Sequence, residues 1–191
     1  AQSTVVGFVL IFGILILALA SFQTGVIPDA NSQIEYQSYL DSSDDLTQIQ
    51  TDVSRAASGS RVATNVELGT TYPPRVFFIN PPPPAGQLET TTPRNLTLGN
   101  VSAVNPETAD FWNGTEQNYS FTSLRFTPRY NEINSEPVVA NGILTSRDAT
   151  ARSIPLTAQA AIQGTRISLP ITQGTVSESG LGVTVISDPV S

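Results

Sequence analysis

From Val5 to Phe22 the chain is one apolar run, relieved only by Gly7, Gly13 and Ser21, and no charged side chain precedes Asp29. At about 1.5 Å per helical residue this run covers roughly 27 Å, the depth of a bilayer's hydrocarbon core. The pattern then changes. Leu46, Ile49, Val53 and Ala56/Ala57 recur every three or four residues, Ile27 and Ile34 lie a heptad apart, and Leu40 precedes Leu46 by six. Asp, Gln and Ser fill the positions between, which is the pattern of one apolar helical face. The expectation is a single long helix over residues 1–58, fully apolar at 5–22 and amphipathic at 29–57. Pro28 lacks a backbone donor, so a kink is expected between Gly25 and Pro28. Gly59 suits a left-handed C-terminal cap. A helix of roughly 85 Å exceeds what one small domain can bury, so it is expected to pack against copies or partners.

After Gly59 the period shortens to two. Val62, Thr64, Val66 and Leu68 alternate with polar or small residues, and Arg75–Asn80 forms a short, mostly apolar strand candidate. Tyr119 and Phe121 alternate, and Leu124 and Phe126 resume out of phase, which predicts a bulge near Thr122-Ser123. Residues 138–144 give another strand candidate. Towards the end, Ile154, Leu156, Ala158, Ala160 and Ile162 share one face, and Ile167, Leu169 and Ile171 another. Gln163-Gly164 is the expected turn between them, and Leu181, Val183 and Val185 follow. This spacing predicts an antiparallel meander of three strands, with Pro155 and Pro170 pushing theirs towards sheet edges. The predicted class is α+β. A hydrophobic, then amphipathic, helix leads into an all-β outer domain over 59–191, an antiparallel sandwich of immunoglobulin-like or similar kind. Pro81–Pro84 reads as a stiff polyproline II surface loop.

Composition narrows the chemistry. All nine basic residues are arginine, and the 191-residue chain has no lysine, histidine, cysteine or methionine. A Ser-His triad, a thiol nucleophile, a Schiff base and an imidazole metal site are therefore excluded. No disulfide can brace the outer domain. Sixteen acidic residues give a net charge of −7, which with no basic cluster argues against nucleic acid as a partner. Asp41, Asp44 and Asp45 are the densest acidic group, read as a solvated helix face or local cap more readily than as a cation site. A carboxylate-only mechanism stays open in principle, but no cofactor is implied and catalysis is not expected. A lysine-free acidic surface suits molar salt, where screening suppresses carboxylate repulsion, so a halophilic source is the expectation.

Four Asn-X-Ser/Thr sequons crowd residues 95–120, at Asn95, Asn100, Asn113 and Asn118. The motif needs an exposed, translocated asparagine, so glycosylation of at least one is expected. Intact mass should then exceed 20.3 kDa.

Residues Ala1-Gln2-Ser3-Thr4-Val5-Val6-Gly7-Phe8-Val9-Leu10, with the aliphatic run after them, resemble the mature start of archaeal type IV pilins, haloarchaeal ones in particular. The likeness covers the first 25 to 58 residues. It implies a basic leader removed by a prepilin peptidase, leaving Ala1 as the processed N-terminus. It also implies a membrane-inserted precursor, handling by pilus assembly machinery, and identical subunits as partners in an extracellular, adhesive helical homopolymer. Val5, Val6, Phe8, Val9, Leu10, Phe12, Leu15, Leu17, Leu19 and Phe22 would form the polymerisation core, with small-residue pairs Ala20/Thr24 and Ser21/Gly25 permitting close helix approach. Bacterial pilins usually have glutamate at the fifth mature position. Here it is Val5, so that charge pairing does not carry over. An archaellin of a motility filament and a membrane-anchored, non-polymerising surface domain stand as alternatives.

Overall fold

The computed structural model describes residues 2–131, 133, 135–147, 150, 152–158, 162–164 and 166–189. The fold is α+β: a long bent N-terminal helix followed by a β-rich domain of antiparallel sheets. The helix comprises α1 (Gln2–Thr24) and α2 (Val26–Ala56), separated at Gly25, whose φ/ψ are −107° and −66°. Pro28 explains the position of the break. Its ring crowds the carbonyl four residues back, on Thr24, and it offers that carbonyl no N–H. The Thr24 hydroxyl meanwhile turns back onto the Ala20 carbonyl at 3.0 Å. At the far end Gly59 takes φ +95°, and its N–H reaches the Ala56 carbonyl while that of Ser60 reaches Arg55. These are the two hydrogen bonds of a glycine-terminated Schellman ending.

Strand β1 (Val62–Glu67) returns along α2 and pairs with β12 (Gly182–Ser187), so the domain's first and last strands are neighbours. The main sheet has six strands in the order β11 (Ser177–Gly180), β2 (Gly86–Thr90), β5 (Leu124–Thr127), β6 (Glu136–Ala140), β7 (Ile143–Arg147) and β8 (Ser153–Pro155). A ribbon of β3 (Arg94–Leu98) and β4 (Gln117–Phe121), and a minimal hairpin of β9 (Ile162–Gln163) and β10 (Arg166–Ile167), complete the pairing. One short helix, α3 (Pro106–Ala109), starts at Asn105, whose side chain accepts the Glu107 N–H.

The core joins Leu46 and Ile49 of α2 to Val66, Leu68, Leu88, Phe126, Val139 and Leu144. The alternation in β1 holds, with Thr64 and Val66 buried and Ala63 and Asn65 exposed. On α2 the buried face runs Ile27, Asn31, Glu35, Ser38, Ser42, Leu46, Ile49, Asp52 and Ala56. Its N-terminal half is thus buried on polar residues, which the apolar periodicity did not reveal. This buried face of α2 is covered by the chain's own β-domain, while Leu40 of the expected apolar stripe is 38% exposed.

Four expectations are corrected. Arg75–Asn80 is a bent loop, because its flanking prolines supply no donors for a sheet ladder. Residues 138–144 are a hairpin whose Asn141-Gly142 turn takes φ 49° and 75°, the type I′ pattern that Asn-Gly favours. Thr122-Ser123 is a crossing from the β3–β4 ribbon into the main sheet, tied to Thr172 and Thr91. The C-terminal meander does not form: β8 pairs with β7, β9 with β10, β11 with β2 and β12 with β1. Ala160 and the Ile162 side chain lie outside the described residues.

Candidate functional site: an uncovered helix and a sequon ribbon

α1 is apolar all round and almost nothing in its own chain covers it. Val5, Val6, Phe8, Val9, Leu10, Phe12, Leu15 and Leu17 are each more than half exposed, and Phe22 is 44% exposed. Leu19 is half-buried. Burying each large side chain is worth about 1.5–3 kcal/mol, so this surface requires lipid or protein around it. By length and composition the helix is able to cross a membrane. A Cβ added at Gly7 or Gly13 meets nothing within 4 Å, so neither glycine answers to a neighbour in its own chain. Ala20, Thr24, Ser21 and Gly25 are likewise exposed. Ala1 lies outside the described residues.

The sequons converge on one ribbon. In the β3–β4 register Asn95 faces Ser120 and Thr97 faces Asn118, so each sequon's asparagine meets the other's hydroxyl residue. All four residues are exposed, while Leu96 and Tyr119 occupy the opposite, half-buried face. The Thr97 hydroxyl donates to Asn118 Oδ1 at 2.5 Å. The other two sequons meet at a single point, an isolated bridge that sets Ser102 of one opposite Asn113 of the other. Asn113 Oδ1 accepts both the N–H (3.1 Å) and the hydroxyl (2.7 Å) of Thr115 in its own sequon. Asn100 and Asn113 are exposed, and Asn100 adopts a left-handed φ of 57°. The sequence disclosed the motifs but not that they pair across strands.

Between the two surfaces lies a polar seam that fixes the β-domain to α2. Glu35, fully buried, accepts from Tyr72 Oη (2.5 Å), the Asn131 N–H (3.1 Å) and Asn131 Nδ2 (2.9 Å). Burial, with the Glu35 carboxylate beside it, pushes the Tyr72 hydroxyl well above its ordinary range. Burial also raises Tyr130, whose Oη lies 2.8 Å from Ser38 Oγ. Ser42 Oγ donates to the Glu67 carbonyl at 2.7 Å, and Thr64 Oγ1 donates to Asp52. In the acidic group, Asp45 accepts the Glu67 N–H at 2.9 Å, Asp41 accepts from Gln37, and Asp44 is exposed. Among the described residues no three Asp or Glu side chains gather closely enough to hold a metal ion.

Fold and surface together define an α+β chain with a membrane-compatible apolar helix leading into a β-domain. No protein-family model matches it, and neither a curated protein nor a solved structure shows significant similarity to it.

Proposed function

We propose that this chain is a structural subunit of an extracellular type IV pilus-like filament serving surface attachment. Its α1 helices pack together as the core, and a glycosylated β-domain faces solvent. The observation that carries the reading is that α1 is uncovered while every other long element is packed within the chain. Gly7 and Gly13 favour a protein neighbour over lipid. Each costs about 1 kcal/mol relative to alanine in a helix interior, and only a closely approaching partner returns that cost. The starting motif, residues 1–10, resembles that of archaeal pilins, and the sequon ribbon suits a face turned away from the core.

A membrane-anchored domain that never polymerises is the second reading, and one observation favours it. Because α2 is covered by its own domain, its apolar stripe does not argue for assembly. An archaellin shares every feature of the first reading. The deciding experiment shears intact cells, pellets the released material, and combines electron microscopy with mass spectrometry. Filaments whose main protein begins at Ala1 support the proposal, and retention in the membrane fraction with no filament overturns it.

A further inference from the structure

The segment between Gly69 and Ala85 is a finger that reaches down the helix. Its root is closed by the Gly69–Ala85 bridge and by the Thr70 N–H on the Pro84 carbonyl at 3.2 Å. Tyr72 ties its descending arm to Glu35. Pro73-Pro74 on one side and Pro81–Pro84 on the other stiffen both arms, the four-proline arm alone spanning about 12 Å at the polyproline rise. Asn80 closes the tip, donating to the Pro73 carbonyl at 2.7 Å and accepting from Arg75. The tip rests at the end of the apolar run, 12 residues or about 18 Å of helix below Glu35. There Phe78 packs on Phe22 with ring centres 5.0 Å apart. Both backbone polar groups of Ile79 are paired with one side chain: its carbonyl accepts Gln23 Nε2 at 3.0 Å, and its N–H donates to Gln23 Oε1 at 3.3 Å.

Having reached the helix, the tip leaves its largest apolar groups outside. Val76, Phe77 and Ile79 are 90%, 81% and 82% exposed, beside the Phe78 ring that packs on half-exposed Phe22. We propose that this tip is a second membrane-contacting element, seated in the boundary between headgroups and acyl chains of the leaflet where α1 ends. Four features favour lipid as the occupant. The tip lies level with the last apolar residue of a run that matches bilayer depth. Its residue Ile79 has both backbone polar groups paired with Gln23, which lowers the cost of placing it at the boundary. Its apolar groups stand beside one cation, Arg75, with no acidic residue in the finger, which suits a boundary lined with phosphates. Proline arms preset the depth, which lowers the ordering cost of insertion.

The inference rests on insertion of α1, which the test probes separately. The chain has no cysteine, so one introduced at Phe77, Phe12 or Ser58 gives a unique attachment point for an environment-sensitive fluorophore. Each labelled full-length variant is reconstituted into phosphatidylcholine vesicles containing lipids brominated near the headgroup or near the chain end. The Phe77→Cys label should emit to the blue of the Ser58→Cys label and be quenched most by the shallow bromines. Phe12→Cys should be quenched most by the deep ones. Ser58, about 50 Å along the helix beyond the tip's contact at Gln23, should be quenched by neither. A position-77 label as wet as position 58, with position 12 quenched, overturns the proposal while leaving the spanning helix intact. Protection at 77 that rises with protein concentration, without bromine quenching, overturns it in favour of a second copy of the chain. An unquenched position 12 removes the inserted helix, and the inference with it.

Discussion

Replacing Tyr72 with Phe removes one oxygen and leaves the ring in place, so it removes the hydroxyl that ties the proline-armed finger to Glu35 of α2 and accepts Asn131 Nδ2 at 3.2 Å. The Tyr72 hydroxyl is held at 2.5 Å from the Glu35 carboxylate in a site where Glu35 is fully buried. A buried hydrogen bond to a charged acceptor contributes about 1.5–3 kcal/mol. Glu35 retains the Asn131 N–H and side-chain amide, so the carboxylate is not stranded and the loss should sit near the lower end of that range. With a urea slope of about 2 kcal/mol per molar for a domain of this size, the unfolding midpoint should fall by about 0.8 M with the slope unchanged. Urea titration of the full chain in detergent micelles, followed by near-ultraviolet circular dichroism, measures it. A midpoint within about 0.2 M of the parent would refute the claim that this contact pins the finger.

Four other outcomes follow from the same surfaces. Tyr72 and Tyr130 ionise at higher pH when folded than when unfolded. Between the two values the native state binds more protons, so stability is complete below about pH 10 and declines above it. Alkaline titration of Tyr72→Phe should show a shallower decline than the parent. If the proposed filament forms, Gly13→Arg should abolish it, because the cation would be buried unpaired among apolar helices; normal filaments in electron micrographs would remove this segment from the core. Asn→Gln at Asn95, Asn100, Asn113 and Asn118 together should lower the intact mass to that of the polypeptide and leave assembly unchanged, as mass spectrometry and microscopy would show. Dialysis from molar salt into dilute buffer should unfold the β-domain, read by circular dichroism, and retained structure would reject the halophilic reading.

The helix, its interruption and its glycine ending were legible because each depends on local chemistry: apolar length, a proline four residues past the distorted carbonyl, a glycine able to take positive φ. The α+β class was legible from the change of period at Gly59. What sequence concealed was partnership. Alternation marks Val183 and Val185 as inward-facing but does not say that β12 pairs with β1, some 120 positions away. Apolar periodicity also passes over Glu35, Ser38 and Ser42, because they are buried through hydrogen bonds whose partners lie 25 to 96 residues distant. Asn141-Gly142 was an available hairpin signal within a stretch read as one strand. The finger escaped because its tip has the composition of a strand, and only the prolines on both sides mark it otherwise.

The division at Gly25 separates two folding problems. None of the core residues belongs to α1, and among the described residues Phe22 and Gln23 tie α1 to the finger by a ring contact and two hydrogen bonds. The β-domain and α2 can therefore reach their final structure while α1 sits in any apolar surroundings, with loop closure, sheet pairing and helix capping already complete. If the proposed filament forms, exchanging lipid for neighbouring helices proceeds as rigid-body docking with no refolding barrier. Extraction of α1 from the bilayer would then also have to release the apolar contacts proposed for the finger tip.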